Sequence, residues 1–323
     1  MTTADLINKI VQVIAALAIF SVVIGLLLFL IDRAPKRGRD VIQLIAFIAP
    51  ALILLALGLI YPAIRTSITA FGNANGDFNG LDNFVWMFTQ PEALQTLGNT
   101  VVWVILVPLL STVIGLAYAV FIDKSKGERV FKALVFMPMA ISFVGAAIIW
   151  RFIYEYRSGE RPQIGLLNQV VVWLGGDPVL WLQAEPINTL LLIVVMIWVQ
   201  TGFAMVVLSA SIKGVPVEQL EAAQLDGTNA WQRFLNVTLP GIRGSLVVVV
   251  TTISIATLKV FDIVQTMTGG NFGTSVVANE MYNQAFRSQQ PGRGSALALI
   301  LFLMVLPIVI YNVRIMRQQR EIR

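Results

Sequence analysis

The chain has 323 residues, of which 57% are hydrophobic and 13% charged, and it carries a net charge of +5. Soluble domains run at about 45–50% apolar and about 25% charged, so this balance excludes an ordinary soluble domain and points to an integral membrane protein. Cysteine and histidine are both absent, which excludes disulfides, thiolate chemistry, imidazole acid–base catalysis and the commonest zinc ligands.

A membrane helix needs about 17–25 mostly apolar residues. Runs of that kind lie near residues 10–31, 41–61, 97–122, 131–154, 188–210, 244–264 and 294–313. The predicted fold class is therefore all-α, a polytopic transmembrane helical bundle of about seven spans. The first run lacks a basic leader and a small-residue cleavage site, and its positive charges follow it. It is expected to be a retained span rather than a cleaved signal.

Short cytoplasmic loops are rich in Lys and Arg. Arg33, Lys36, Arg37 and Arg39 follow the first run, Lys124, Lys126, Arg129 and Lys132 follow the third, and Arg314, Arg317, Arg320 and Arg323 follow the last. With seven spans these groups share one side, which puts the N-terminus outside and the C-terminus in the cytoplasm. Lys213, Arg233 and Arg243 fall on the same side. The opposite loops, near 62–96, 155–187 and 265–293, hold Trp86, Trp173 and Trp181 as expected interface anchors. Topology accounts for the basic residues, so no nucleic-acid partner is expected.

Motifs of chemistry are missing. There is no G-x-x-x-x-G-K-[ST], no G-x-S-x-G and no H-E-x-x-H, and no carboxylate pair stands out. Catalytic residues and metal ligands are therefore expected to be none. The Gly-rich Thr268–Ser275 has no lysine and reads as a turn after a span.

Between the fifth and sixth spans lies a polar stretch, "EAAQLDGTNAWQRFLNVTLP" (Glu221–Pro240). Val217, Leu220, Ala223, Gly227, Trp231 and Phe234 recur at spacings of three and four, which predicts one face of a helical element. Asp226-Gly227 signals a turn, and Thr228 or Asn229 can cap a second helix. Pro240 and Gly241 are expected to stop that helix. Short helices are marginal alone in water, so this pair must pack on something. The small Ala222, Ala223 and Gly227 suit close approach, either to a groove on a soluble partner or to the chain's own membrane domain.

The same stretch carries the spaced pattern E-A-A-x3-G-x9-aliphatic-x-L-P, as Glu221-Ala222-Ala223, Gly227, Val237 and Leu239-Pro240. In this it resembles the permeases of ABC importers, with Val237 where isoleucine is more usual. Val135–Tyr156, Ile164–Asn168, Trp198–Pro216 and Leu258–Gly270 extend the resemblance to the carbohydrate type, specifically the first-permease half of the maltose and alpha-glucoside group. It covers roughly residues 41–315.

The resemblance implies a six-span type I importer core over 41–315, with a cytoplasmic coupling loop at 211–243. Residues 1–40 would then be an extra span with its basic loop, and 316–323 a basic tail. It also implies a bacterial or archaeal cytoplasmic membrane. The implied function is sugar import, of an oligosaccharide such as maltose, trehalose or another alpha-glucoside. The implied partners are a second homologous permease, an ATPase dimer and an external sugar-binding protein. No cofactor is implied on this chain, because ATP and Mg would sit on the ATPase. Glu221, Ala222, Ala223, Asp226 and Gly227 would meet the ATPase. Leu239 and Pro240 either belong to that grip or merely end the helix.

Polar residues within spans are functional candidates; Gln200, Thr201, Thr252, Thr257, Lys259 and Asp262 qualify. Lys259 and Asp262, three apart, can also simply pair. Aligned on the loop pattern, the family's sugar site would fall at Gln200, Phe203, Ile253, Ala256, Thr257 and Val260. Several of these are apolar here where the maltose permease is polar. Gln200, Phe203 and Thr257 are expected to face a cavity. Phe203 and Phe261 either stack on sugar rings or pack between helices. The rival readings are an ABC permease for a non-sugar solute, a secondary transporter, which would need mid-span acids and repeats, and a membrane enzyme.

Overall fold

The computed structural model describes residues 3–32, 39–122, 125–158 and 161–321. Among them every regular element is helical, in keeping with the all-α expectation. The chain divides into two compact units, 1–66 and 67–323.

In the first unit, α1 (Thr3–Asp32) is apolar on all sides, and its described large side chains between Ile7 and Phe29, such as Leu17, Phe20 and Val22, are exposed. A helix that is hydrophobic all round and this long fits a lipid span. The basic Arg33, Lys36 and Arg37 lie outside the described residues. α2 (Arg39–Leu55) runs through a π turn (Ala56–Ile60) into α3 (Tyr61–Thr69), which crosses into the second unit. Pro62 follows that π turn. The wider turn spares the proline ring a clash with the preceding turn, and it closes instead with Tyr61 N–H on Ala56 O.

In the second unit, α4 (Asp82–Thr89) leads to α5 (Pro91–Ile122). α6 (Glu128–Phe136) and α7 (Phe143–Ile153) follow, then the short α8 (Leu166–Trp173) and the long α9 (Ile187–Lys213). α5 and α9 form the centre of the unit. Trp103, Met196, Met205 and Leu208 are fully buried there. Gly115 allows the approach: a Cβ on it would stand 2.6 Å from Ala204 Cβ and 2.9 Å from Met205 N. Small residues at such crossings let helix backbones pack in the absence of a hydrophobic drive from water.

The remaining elements are α10 (Val217–Leu225), α11 (Ala230–Arg233), α12 (Leu239–Gly241), α13 (Arg243–Leu258), α14 (Asp262–Met267), α15 (Val277–Tyr282) and α16 (Pro291–Glu321). Among the described residues five helices are long and apolar enough to cross a membrane, and up to seven if each of two bent pairs counts as one span. The bends correct two expectations of continuous helix. The run at 131–154 turns by 102° between α6 and α7. Pro138 sits in a 3-10 turn there, and Ser142 starts α7 afresh by accepting Gly145 N–H at 3.1 Å. The run at 244–264 ends as helix at Leu258 and resumes at Asp262. Because of that break Lys259 and Asp262 do not share a helix, and no ion pair joins them among the described residues.

Of the expected interface anchors, only Trp173 is open, at 74% exposed. Trp86 lies under Arg293, whose guanidinium carbon is 4.8 Å from the ring centre. Trp181 donates its Nε1 hydrogen to Asn168 Oδ1 at 2.8 Å. Both indoles thus anchor the fold.

Candidate functional site

The polar stretch is a closed excursion with a buried base and an exposed tip. Val215 before α10 and Ile242 after α12 both lie in the main hydrophobic core, 6% and 0% exposed. Leu220 and Val237 pack against the same core. The ends of the excursion are therefore anchored by apolar burial, while Glu221, Ala222, Asp226 and Gly227 are exposed.

The bend is built as a complete helix C-cap. Asp226 N–H bonds Ala222 O at 3.0 Å, Gly227 N–H bonds Gln224 O at 3.1 Å, and Thr228 N–H bonds Ala223 O at 3.2 Å. Gly227 sits at φ +78°, the left-handed conformation that this motif needs and that side chains resist. Asn229, rather than Thr228, then caps the second helix in a reciprocal box with Gln232, both bonds 2.9 Å. Thr228 instead closes the bend, its hydroxyl donating to Ala223 O at 2.5 Å. Arg233 Nη1 reaches back to Thr228 O at 2.7 Å. These bonds make the bend a shaped element rather than a floppy loop.

The expected helix, bend and second helix are present; along the apolar stripe Leu220 packs on the core, while Val217 and Trp231 are 61% and 66% exposed. The stop expected at Pro240 and Gly241 falls at Gly241, one residue after the proline. A π turn (Phe234–Thr238), closed by Leu239 N–H on Phe234 O, carries the helix through Pro240 to Gly241, as at Pro62. The chain then breaks at Ile242, with a bend of 68° into α13. Leu239 and Pro240 thus lie within the helix at the anchored end. Leu225, at 89% exposed, escaped the sequence reading. Its signal was its place just before Asp226-Gly227, off the apolar stripe.

The anchored end is tied to the bent pair. Lys213, in the last turn of α9, stands 2.5 Å from Glu128 Oε1 at the start of α6. Lys132 pairs with the same carboxylate at 2.6 Å and bonds Ser209.

The expected path residues are dispersed. Gln200 is 8% exposed and Thr257 fully buried; Phe203 is half-buried. Thr257 and Thr201 return their hydroxyls to Ile253 O and Ile197 O at 2.8 and 2.7 Å, the usual back-bond of a helical threonine. That corrects the expectation of a cavity-facing Thr257. Phe261, at the break after α13, does line a cavity of about 270 Å³ with Lys259, Met281, Tyr282 and Leu301. Its ring lies 5.2 Å from Tyr282, which lies 5.2 Å from Phe286. No cluster of acidic side chains suited to a metal occurs among the described residues.

Known proteins resemble this chain over most of its length. The alpha-glucoside transport system permease protein AglF of Rhizobium meliloti is 47% identical over 270 residues, 83% of this chain and 80% of that one. The osmoprotective compounds uptake permease protein GgtC of Synechocystis is 46% identical over 278 residues, 86% of this chain and 100% of that one. A crystal structure of a bacterial ABC transporter for the polysaccharide alginate shares the fold, with a TM-score of 0.75 at 24% identity over 88% of this chain and 98% of that one. Residues 92–319 match the family of binding-protein-dependent transport system inner membrane components. The match takes in the bent pairs, α9 and the whole excursion at 211–243, and the chain belongs to that family.

Proposed function

We propose that the chain is one of two permease subunits of an ATP-driven importer for sugars, of the alpha-glucoside kind. The carrying observation is the excursion at 211–243, anchored in the core and exposed at Leu225 and Trp231. It is shaped for gripping by a soluble subunit and has no catalytic groups of its own. The alpha-glucoside permease at 47% identity and a trehalose/maltose permease of Thermococcus litoralis at 29% support the substrate class. A related alginate transporter has been solved with a substrate-bound periplasmic protein, which supports an external binding protein as partner. ATP and Mg belong to a separate ATPase dimer. The excursion faces the cytoplasm, with the N-terminus outside and the C-terminus inside.

ATP drives transport only through its different affinity for two states of the complex. Closure of the ATPases moves the tip around Glu221 and Gly227. The anchored end passes that motion to α9 and α13 directly, and to α6 through Lys213 and Glu128.

Replacing Leu225 with Asp should leave membrane insertion intact and weaken capture of the ATPase. Full burial of a leucine is worth about 1.5–3 kcal/mol, so affinity should fall by roughly 10–100-fold. Co-purification of the ATPase at unchanged yield would disprove the contact.

Gln200, Phe203 and Phe261 are proposed to line the sugar path, with Thr257 supporting it from behind. Gln200→Ala should slow uptake about tenfold, the cost of one polar contact in a buried site, and more than Thr257→Ala does. Equal, unaltered uptake in both variants would remove the assignment.

A second reading, a permease for an osmoprotective solute other than a sugar, draws on the relative named for osmoprotective compounds uptake at 46% identity, a name that specifies no sugar. Uptake of labelled trehalose, maltose and glycine betaine by the reconstituted importer separates the two.

A further inference from the structure

We propose that the cavity between the end of α7, residues 180–183 and the turn at 267–272 binds one end of a saccharide, as an entry site on the face opposite the coupling excursion. The proposal rests on the sugar-import reading above. α9 separates the two faces. It starts at Ile187, next to the cavity, and ends at Lys213, at the base of the excursion; its 27 residues span about 40 Å at 1.5 Å per residue.

The cavity has a volume of about 310 Å³ and is lined by Arg151, Glu155, Tyr156, Trp181, Gln183 and Phe272 among others. Small-molecule sites run from about 300 to 1,000 Å³, so this one suits the end of a saccharide rather than a long chain. Its chemistry is mixed in the way a sugar requires. The aromatic rings meet the C–H faces of a pyranose, and the planar Arg, Glu and Gln heads serve hydroxyls that both donate and accept. A hydrocarbon would strip water from Arg151 and Glu155 without compensation, and an anion would meet the Glu155 carboxylate. A neutral polyol satisfies both. Arg151 gives one nitrogen to Thr266 O at 3.4 Å, and no ion pair engages Arg151 or Glu155 among the described residues.

The walls are held in place by three asparagines. Asn168 is fully buried. It donates to Glu155 O at 2.9 Å and Val179 O at 3.0 Å, and accepts from Val179 N–H at 2.9 Å and Trp181 Nε1 at 2.8 Å. All its donors and acceptors are used, so one side chain locks Glu155, residue 179 and the Trp181 ring together. On the far wall Asn188 holds Phe272 O at 2.7 Å. Asn99 holds Gly273 O and Ser275 O at 2.6 and 2.9 Å. A site ordered before its ligand arrives avoids the entropic cost of ordering it on binding.

The test uses the complete importer, both permeases with the ATPase and the external binding protein, in proteoliposomes loaded with ATP. Uptake of labelled trehalose and maltose is measured at saturating binding protein for Tyr156→Ala, Gln183→Ala and Tyr156→Phe. No side-chain bond holds Tyr156 or Gln183 to the fold among the described residues, so both alanine variants should assemble. The expected result is a fall in uptake of about five- to tenfold for each alanine variant. Tyr156→Phe, which keeps the ring face, should stay near the unmodified rate. The affinity of the binding protein for the importer should be unchanged. Unaltered uptake in both alanine variants would overturn the proposal. So would a loss of binding-protein affinity with normal uptake at saturation, which would make the cavity a seat for that protein. An unmodified importer that takes up neither sugar would remove the sugar reading itself, and this inference with it.

Discussion

A chain carrying Gly227→Val is expected to insert and assemble normally yet lose sugar uptake about a hundredfold, while the ATPase continues to turn over. A Cβ at Gly227 would meet nothing within 4 Å, so the substitution causes no clash. Its effect is conformational. The residue sits at φ +78°, where a β-branched side chain costs about 1–3 kcal/mol. The cap formed by Gly227 N–H on Gln224 O and Thr228 N–H on Ala223 O depends on that conformation. Relaxing it swings Leu225 and Trp231 away from their present arrangement. The anchored end, held by Val215 and Ile242 in the core, stays in place. Gly227→Asn should recover most of the uptake, because asparagine tolerates the left-handed region. Uptake and ATP hydrolysis measured together decide the matter; normal, coupled transport by the valine variant would show that the bend transmits nothing.

The second large effect is expected at Gly115. Gly115→Leu should prevent the accumulation of folded permease, because even a Cβ would overlap Ala204 Cβ at 2.6 Å and crowd the Met205 backbone nitrogen at 2.9 Å. Overpacking of a dense core costs about 1–3 kcal/mol when the neighbours can move. Here one neighbour is backbone in the middle of α9, so the crossing itself must open. Gly98 on the same helix has nothing within 4 Å, and Gly98→Leu should leave yield and thermal unfolding in detergent unchanged. Equal yields from the two variants would mean that the α5–α9 approach does not hold the unit together.

Much of the architecture was legible in the sequence, because a lipid span needs only length and apolarity. All seven expected runs contain helix. Two are interrupted, and the breaks turn on residues that composition averages away: Pro138 and Ser142 in one, Lys259 to Phe261 in the other. The excursion's helix–bend–helix form was legible because Asp226-Gly227 and Asn229 are local signals acting over a few bonds. The path through Pro240 was not legible, since a π turn differs from a stop only in which carbonyl the chain selects. Thr257 was misread because polarity within a span does not reveal whether a hydroxyl faces a cavity or its own helix. Leu225 and Tyr282 were missed because exposure of an apolar side chain depends on what the rest of the chain leaves uncovered.

By itself the sequence determined that the chain is a helical membrane protein with a polar, small-residue excursion between its fifth and sixth apolar runs. Those properties follow from composition, periodicity and short-range backbone chemistry, all of which act within a few residues. The tertiary structure alone decided that Val215 and Ile242 anchor the two ends of that excursion in one core. It alone decided that Glu128 ties α6 to the end of α9, and that Asn168, Asn188 and Asn99 hold the walls of a cavity on the opposite face. These are contacts between residues from 11 to 176 positions apart. They depend on how whole helices cross, and a single sequence carries no local signal for that crossing.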